Sequence, residues 1–195
     1  MHNLTVFAEE KPRIYTLDGG TGSELERLGA TMSNECWCGL AGWENPKILE
    51  DVHRSYIDAG AQIIIVNTFA TSPIALATSL DPETIHQVNQ DACKIGMKVK
   101  YEAPRPVAVA GSISHMIPYF DWNGKKICGN TPEHITEEVY IAGIQQQVAI
   151  FEENNLDVIF IEEQYEADRT EWDLKACVDS DLPIFLGIAC KDVDG

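Results

Sequence analysis

The sequence predicts an α/β fold built on a parallel sheet, and three observations carry that expectation. Short apolar runs alternate with helical patterns along the whole chain. Three helical patterns open with a capping residue and a proline, at Asn45-Pro46, Asp81-Pro82 and Thr131-Pro132. Three apolar runs end in polar side chains: Asp18 follows residues 14–17, Asn67-Thr68 follows 63–66, and Glu162-Glu163 follows 158–161. Strands separated by helices pair in parallel through right-handed crossovers. The loops after such strands converge on ligand sites, so these polar ends are expected on one face. The alternation fits an open doubly wound sheet or part of an eight-stranded barrel, and pattern alone does not separate them.

The elements follow in order. Residues 14–17 form the first predicted strand, and Asp18-Gly19-Gly20-Thr21-Gly22 supplies a carboxylate and a glycine turn at its end. Residues 24–28 make a short helix stopped by Gly29. In the next helix Asn45 is the cap, Leu49, Val52, Tyr56 and Ile57 share one face, and Gly60 suits the stop. The second strand spans residues 62–67. Asp81 caps a long helix with Ile85, Val88, Ala92, Ile95 and Val99 at spacings of three and four, ended by Pro104 and Pro106. The third strand covers 107–110. Residues 112–130, rich in glycine and aromatics, read as a loop over a pocket mouth. A helix from Thr131 reaches roughly Asn154, the fourth strand covers 157–161, a helix covers 168–178, and the fifth strand covers 182–189. No repeat, linker or low-complexity tract divides the chain, so residues 1–195 read as one domain.

Composition narrows the function classes. The chain has 14 basic and 31 acidic residues and a formal net charge of −17, which repels polyanions and argues against nucleic acid as a partner. No apolar run approaches membrane-spanning length, and the opening residues lack the basic end and apolar stretch of a signal peptide, so a cytoplasmic location is expected. The six cysteines, at 36, 38, 93, 128, 177 and 190, include no Cys-x-x-Cys pair. Cys36-Trp37-Cys38 is tighter than common zinc spacing. Cys93 and Cys177 fall in helical patterns and read as small core residues.

Several motifs are spaced along the chain: the Asp-Gly-Gly-Thr-Gly-x-Glu-Leu opening from Asp18, and Asn45-Pro46 before a helix bearing His53, Tyr56 and Ala59-Gly60-Ala61. Asn67-Thr68-Phe69, Ala110-Gly111-Ser112-Ile113, and Asp157 before a strand ending at Glu162 complete the set. In this order and spacing they resemble the homocysteine S-methyltransferase family, and the resemblance runs from about Ile14 to Gly195. It implies a TIM-type (β/α)8 barrel of which this sequence supplies about the first five βα units. It further implies methyl transfer from a sulfonium, ammonium or corrinoid donor to the thiolate of homocysteine, giving methionine. Zinc held by three cysteines is the implied cofactor, because a metal favours the nucleophilic thiolate. The family's Gly-x-Asn-Cys and Gly-Gly-Cys-Cys ligand segments are absent from this sequence.

The resemblance assigns substrate contacts to Asp18 and Glu162, as carboxylate partners of the amino-acid ammonium, and to backbone N–H groups at Gly19 and Gly20. Asn67 and Thr68 are expected to add polar contacts. Glu162 and Glu163 point to opposite faces in a regular strand, so only one enters a shared site, and counting from Asp157 selects Glu162. His53 reads as a structural or surface histidine, and Tyr119 and Trp122 as candidates for shielding a cationic methyl donor. Departures from the family pattern, Glu163-Gln164 after the acid and Ser114-His115-Met116 after Gly111-Ser112, fall near the donor side. Five strands of a barrel leave open edges, so a homo-oligomer or a complementing chain is expected. The alternative function is a noncatalytic amino-acid-binding or regulatory protein without the metal site.

Overall fold

A computed structural model describes residues 14–33, 36–115, 119–120, 126–127 and 135–190. Seven helices are described: α1 (Thr21–Arg27), α2 (Ala41–Glu44), α3 (Pro46–Ala59), α4 (Pro73–Leu76), α5 (Pro82–Glu102), α6 (Glu137–Glu153) and α7 (Ala167–Cys177). The strands are β1 (Ile63–Ile65), β2 (Ala108–Ser114), β3 (Tyr119–Phe120), β4 (Lys126–Ile127), β5 (Val158–Gln164) and β6 (Ile184–Ile188). β1, β2, β5 and β6 form a parallel sheet in that spatial order, while β3 and β4 pair antiparallel. Spatial order in the parallel sheet follows chain order. Its crossovers therefore step in one direction, unlike a doubly wound sheet, whose order reverses at a switch point.

The pleat sorts side chains onto two faces. Ile64, Val66, Val109, Ile113, Ile159 and Ile161 share one buried cluster with Ile57 of α3, Val99 of α5, Ile144 and Phe151 of α6, and Ala176 of α7. The opposite face gathers Ile63, Ala108, Ala110 and Val158, with Ile65, Phe160 and Phe185 packed beside them. Residues 112 and 162 continue this second set by the two-residue alternation, so Ser112 and Glu162 reach the same face near the C-terminal ends of β2 and β5.

Local signals explain most boundaries. Asp81 caps α5 by accepting from Thr84 N at 3.0 Å. Gly60 stops α3 with φ 112°, in the left-handed region open to glycine. Asn45 occupies the cap position of α3 but makes no cap bond; its Oδ1 accepts from Thr31 N at 2.8 Å, tying the preceding loop down instead. Thr136 caps α6, and the start predicted at Thr131 lies outside the described residues. At the opposite end of the sheet from the polar strand ends, Asp157 pairs with Lys100 at 2.6 Å and accepts from Val109 N at 2.7 Å, joining α5, β2 and β5.

The strand boundaries differ from expectation where backbone pairing outruns the apolar pattern. Residues 14–17 form no extended strand: Leu17 makes an isolated parallel bridge to Ile63. The ladder cannot lengthen on one side because Thr16 N is taken by Gln62 Oε1 at 3.2 Å, and on the other the chain turns at Asp18. β2 and β5 run past the predicted ends, in register from Ala110 opposite Val158 to Ser114 opposite Glu162. The predicted loop 112–130 therefore begins as strand, and among its described residues holds the β3–β4 pair.

Candidate functional site

Three chain segments meet at the C-terminal end of the sheet. The Asp18 turn is fixed by Ile65 N, which donates to Asp18 Oδ2 at 2.8 Å, while Asp18 Oδ1 is buried without a partner among the described residues. Ser112 Oγ donates to Glu162 Oε1 at 2.5 Å. These groups line a cavity of about 240 Å³, together with Gly19, Gly20, Trp37, Cys38, Asn67, Phe69 and Glu163. That size suits a metabolite smaller than the ligands of typical pockets of about 300 Å³ or more.

The cavity disfavours charge on its acids. Burial pushes Asp18 up to about 7; the bond from Ile65 N opposes the shift and the charge of Glu162 adds to it. Burial also raises Glu162, against the Ser112 hydrogen bond and with the charge of Glu163. Two interacting carboxyls that prefer to hold protons are matched by a cation.

Asn67 lines the cavity, but its amide is occupied. Nδ2 donates to Cys38 O at 2.8 Å and Oδ1 accepts from Cys38 Sγ at 3.5 Å, so Asn67 clamps the turn that carries Trp37. Thr68 does not line the cavity. It is buried, donates to Ser112 O at 2.8 Å and accepts from Ser112 N at 3.1 Å, tying the segment after β1 to β2. Glu162 and Glu163 both reach the cavity, contrary to the expectation that alternation admits one. Regular alternation ends at Glu163, whose φ is 51°.

Trp37, Cys38 and Ser112 are among the lining residues that the sequence did not assign to the site. Ser112 sits in the Ala110-Gly111-Ser112-Ile113 motif, two residues beyond Ala110 and on the same sheet face, so alternation offered a signal. Trp37 offered none: its φ of 54° and its ring packing on Gly22, where a Cβ would lie 2.6 Å from the ring, are set by the turn. Burial pushes the Cys38 thiol up to about 11. His53 is fully buried, away from the cavity, with both ring nitrogens unpartnered among the described residues. Trp122 and the side chain of Tyr119 lie outside the described residues. Among the described residues no group of three or more His, Cys, Asp or Glu side chains could hold a metal ion, and no helix is long and apolar enough to cross a membrane.

The family model for homocysteine S-methyltransferase matches residues 15–195. Homocysteine S-methyltransferase of Escherichia coli K12 is 31% identical over 111 residues, covering 53% of this chain and 36% of the relative. Homocysteine S-methyltransferase 3 of Arabidopsis thaliana is 24% identical, covering 97% of this chain and 60% of its own length. The selenocysteine methyltransferase of Astragalus bisulcatus is also 24% identical, with 82% and 53% covered. These alignments thus span between about a third and three fifths of the curated relatives' lengths. Among solved structures, the metallated form of the homocysteine methyltransferase MmuM from Escherichia coli superposes with a TM-score of 0.76 at 21% identity, covering 97% of this chain and 67% of that one. The apo form gives 0.68, with 94% and 62% covered. This likeness establishes a shared α/β fold.

Proposed function

Since the chain belongs to the homocysteine S-methyltransferase family, we propose that its cavity binds homocysteine and presents the sulfur for methylation. The observation that carries this reading is the pair of raised carboxyls on one small cavity, with Asp18 Oδ1 lacking a partner among the described residues. A buried acceptor left unpaired is unfavourable, and a ligand ammonium with three donors would satisfy Asp18 and Glu162 together. The ligand carboxylate would lie over the backbone at Gly19 and Gly20, as the family resemblance implies. The thiol end would then extend towards Trp37 and Cys38. The exposed ring of Trp37 offers a π face to a sulfonium or ammonium donor.

In the transfer, the substrate thiol first loses its proton to solvent, the sulfur lone pair forms the new S–CH3 bond, and the bond from methyl to donor breaks. The electron pair leaves with the donor, which loses its positive charge. Asp18 and Glu162 hold the ammonium end and orient the sulfur. Zinc, implied by the resemblance, would supply thiolate stabilisation. The described donor set does not fit it: Cys38 is the cavity's one thiol, burial keeps it protonated, and it is bonded to Asn67. No step is therefore assigned to a metal. That donor set favours, as a second reading, amino-acid binding without methyl transfer. We read the singly wound sheet as an arc of an eight-stranded barrel, with Asp18 and Glu162 on its C-terminal rim.

Calorimetric titration of the reduced chain with L-homocysteine tests the binding reading, and methionine formation with S-methylmethionine separates the two alternatives. Losing one partner of a buried charge pair costs about 2–5 kcal/mol, so Asp18→Ala is expected to weaken binding by roughly 30-fold or more. Equal affinity in the wild type and Asp18→Ala would remove the ammonium site.

A further inference from the structure

The cavity acid Glu162 stands immediately before an irregularity in its own strand. Glu163 has φ 51°, a left-handed conformation uncommon for a residue with a side chain. The pairing of β5 with β6 shifts there: Ile161 opposes Leu186 and Gln164 opposes Ile188, leaving one extra residue on β5. Such a bulge re-aims side chains, and an unfavourable backbone state persists only where the surroundings impose it.

The surroundings that impose it lie behind the cavity. Gln164 is buried, and its Nε2 donates to Glu162 O at 3.0 Å across the bulge. Its Oε1 accepts from Thr170 Oγ1 at 3.0 Å and lies 3.1 Å from His115 Nδ1. Because Nε2 serves a carbonyl, Oε1 must be the acceptor, and His115 therefore donates from Nδ1. His115 is itself held: Tyr165 packs edge-on against its ring at 4.3 Å, and its carbonyl accepts from Arg169 Nη1 at 3.0 Å. Gln164, Thr170 and His115 do not line the cavity.

We propose that Gln164 is a positioning residue for Glu162: its amide clasps the Glu162 carbonyl, with Thr170 and His115 bracing it, and keeps the Glu162 carboxylate in the cavity beside Asp18. The proposal rests on the reading of that cavity as a homocysteine site. Without the clasp Glu163 can return to an extended conformation. The bulge is then lost, and the side chains beyond it exchange faces. The Ser112–Glu162 contact depends on the arrangement on the near side of that bulge.

The test uses the full chain and two probes, L-homocysteine and 4-mercaptobutanoate, which keeps the thiol and carboxylate but lacks the ammonium. Gln164→Met, similar in length and without the amide, is expected to weaken homocysteine binding by about tenfold while leaving 4-mercaptobutanoate within about twofold. Loss of both probes alike, or of neither, would overturn the proposal. If Gln164→Met fails to fold, Thr170→Val removes one brace alone and should show the same discrimination at smaller size. Failure of the wild type to bind homocysteine would count against the functional reading instead. Carboxyl carbon NMR of the unliganded chain then decides: Gln164→Met, or Thr170→Val in its place, should bring the Glu162 titration down towards the ordinary glutamate range, and an unchanged titration overturns the proposal.

Discussion

Burial pushes Asp18 up to about 7, so its charge state changes in the neutral range. An ammonium ligand needs the ionised form, and homocysteine affinity is therefore expected to fall as pH drops from 8 to 6, by at most about tenfold per unit. Titration calorimetry across that range measures it, and Asp18→Asn should flatten the dependence. His53 gives a stability prediction of a different kind. Burial holds its pKa down to about 4 against an unfolded value near 6.5, so the folded state binds fewer protons between those values. This contribution is complete above pH 6.5 and is lost as pH falls towards 4, by about 3 kcal/mol in all. Asp18 acts in the opposite sense, because its folded value is raised and it favours the fold as pH falls from about 7. Comparing urea unfolding of the wild type and His53→Leu across pH isolates the histidine. Parallel curves would show that His53 does not titrate with unfolding.

Between elements, the best-defined joint is the Asp157 carboxylate. It pairs with Lys100 at the end of α5 and accepts from Val109 N in β2 while leading into β5. Breaking a buried pair leaves the partner charge uncompensated, so Asp157→Ala is expected to cost about 3 kcal/mol in urea unfolding without changing cavity residues. The turn bearing Trp37 is a second joint. Asn67→Ala frees the Cys38 carbonyl and thiol, and should weaken donor and amino-acid binding through the position of Trp37. Substrate protection of Trp37 fluorescence from quenching would report it; unchanged protection would mean that the clamp is dispensable. Asn67 was legible as a strand-end amide, but its role as a clamp was not. Its partner Cys38 lies 29 residues earlier, and only folding brings the two together.

At the scale of the molecule, β6 presents an edge unpaired among the described residues, with Leu186 39% and Ile188 68% exposed. Such an edge and its apolar side chains invite strand pairing with another chain. Sedimentation is expected to show self-association that rises with concentration and is reduced by Ile188→Lys. A monomer at high concentration in the wild type would count against this expectation.

Alternation of apolar runs with capped helices determined the α/β class, and the polar strand ends, together with the family resemblance, pointed to Asp18 and Glu162. Those features are local: each depends on residues within a turn or a strand of one another. The sequence left the strand order open, and pairing of β1, β2, β5 and β6 in chain order decided for a singly wound sheet. The short apolar segment at 14–17 promised a strand but forms only a bridge, because Gln62 takes the backbone donor that a ladder needs. Two-residue alternation assigned one of Glu162 and Glu163 to the site, whereas the bulge placed both there. That bulge is held by Gln164 at the end of its own strand, braced by Thr170 of α7 and by His115, 49 residues earlier, and a contact across that separation has no periodic signature in a single chain.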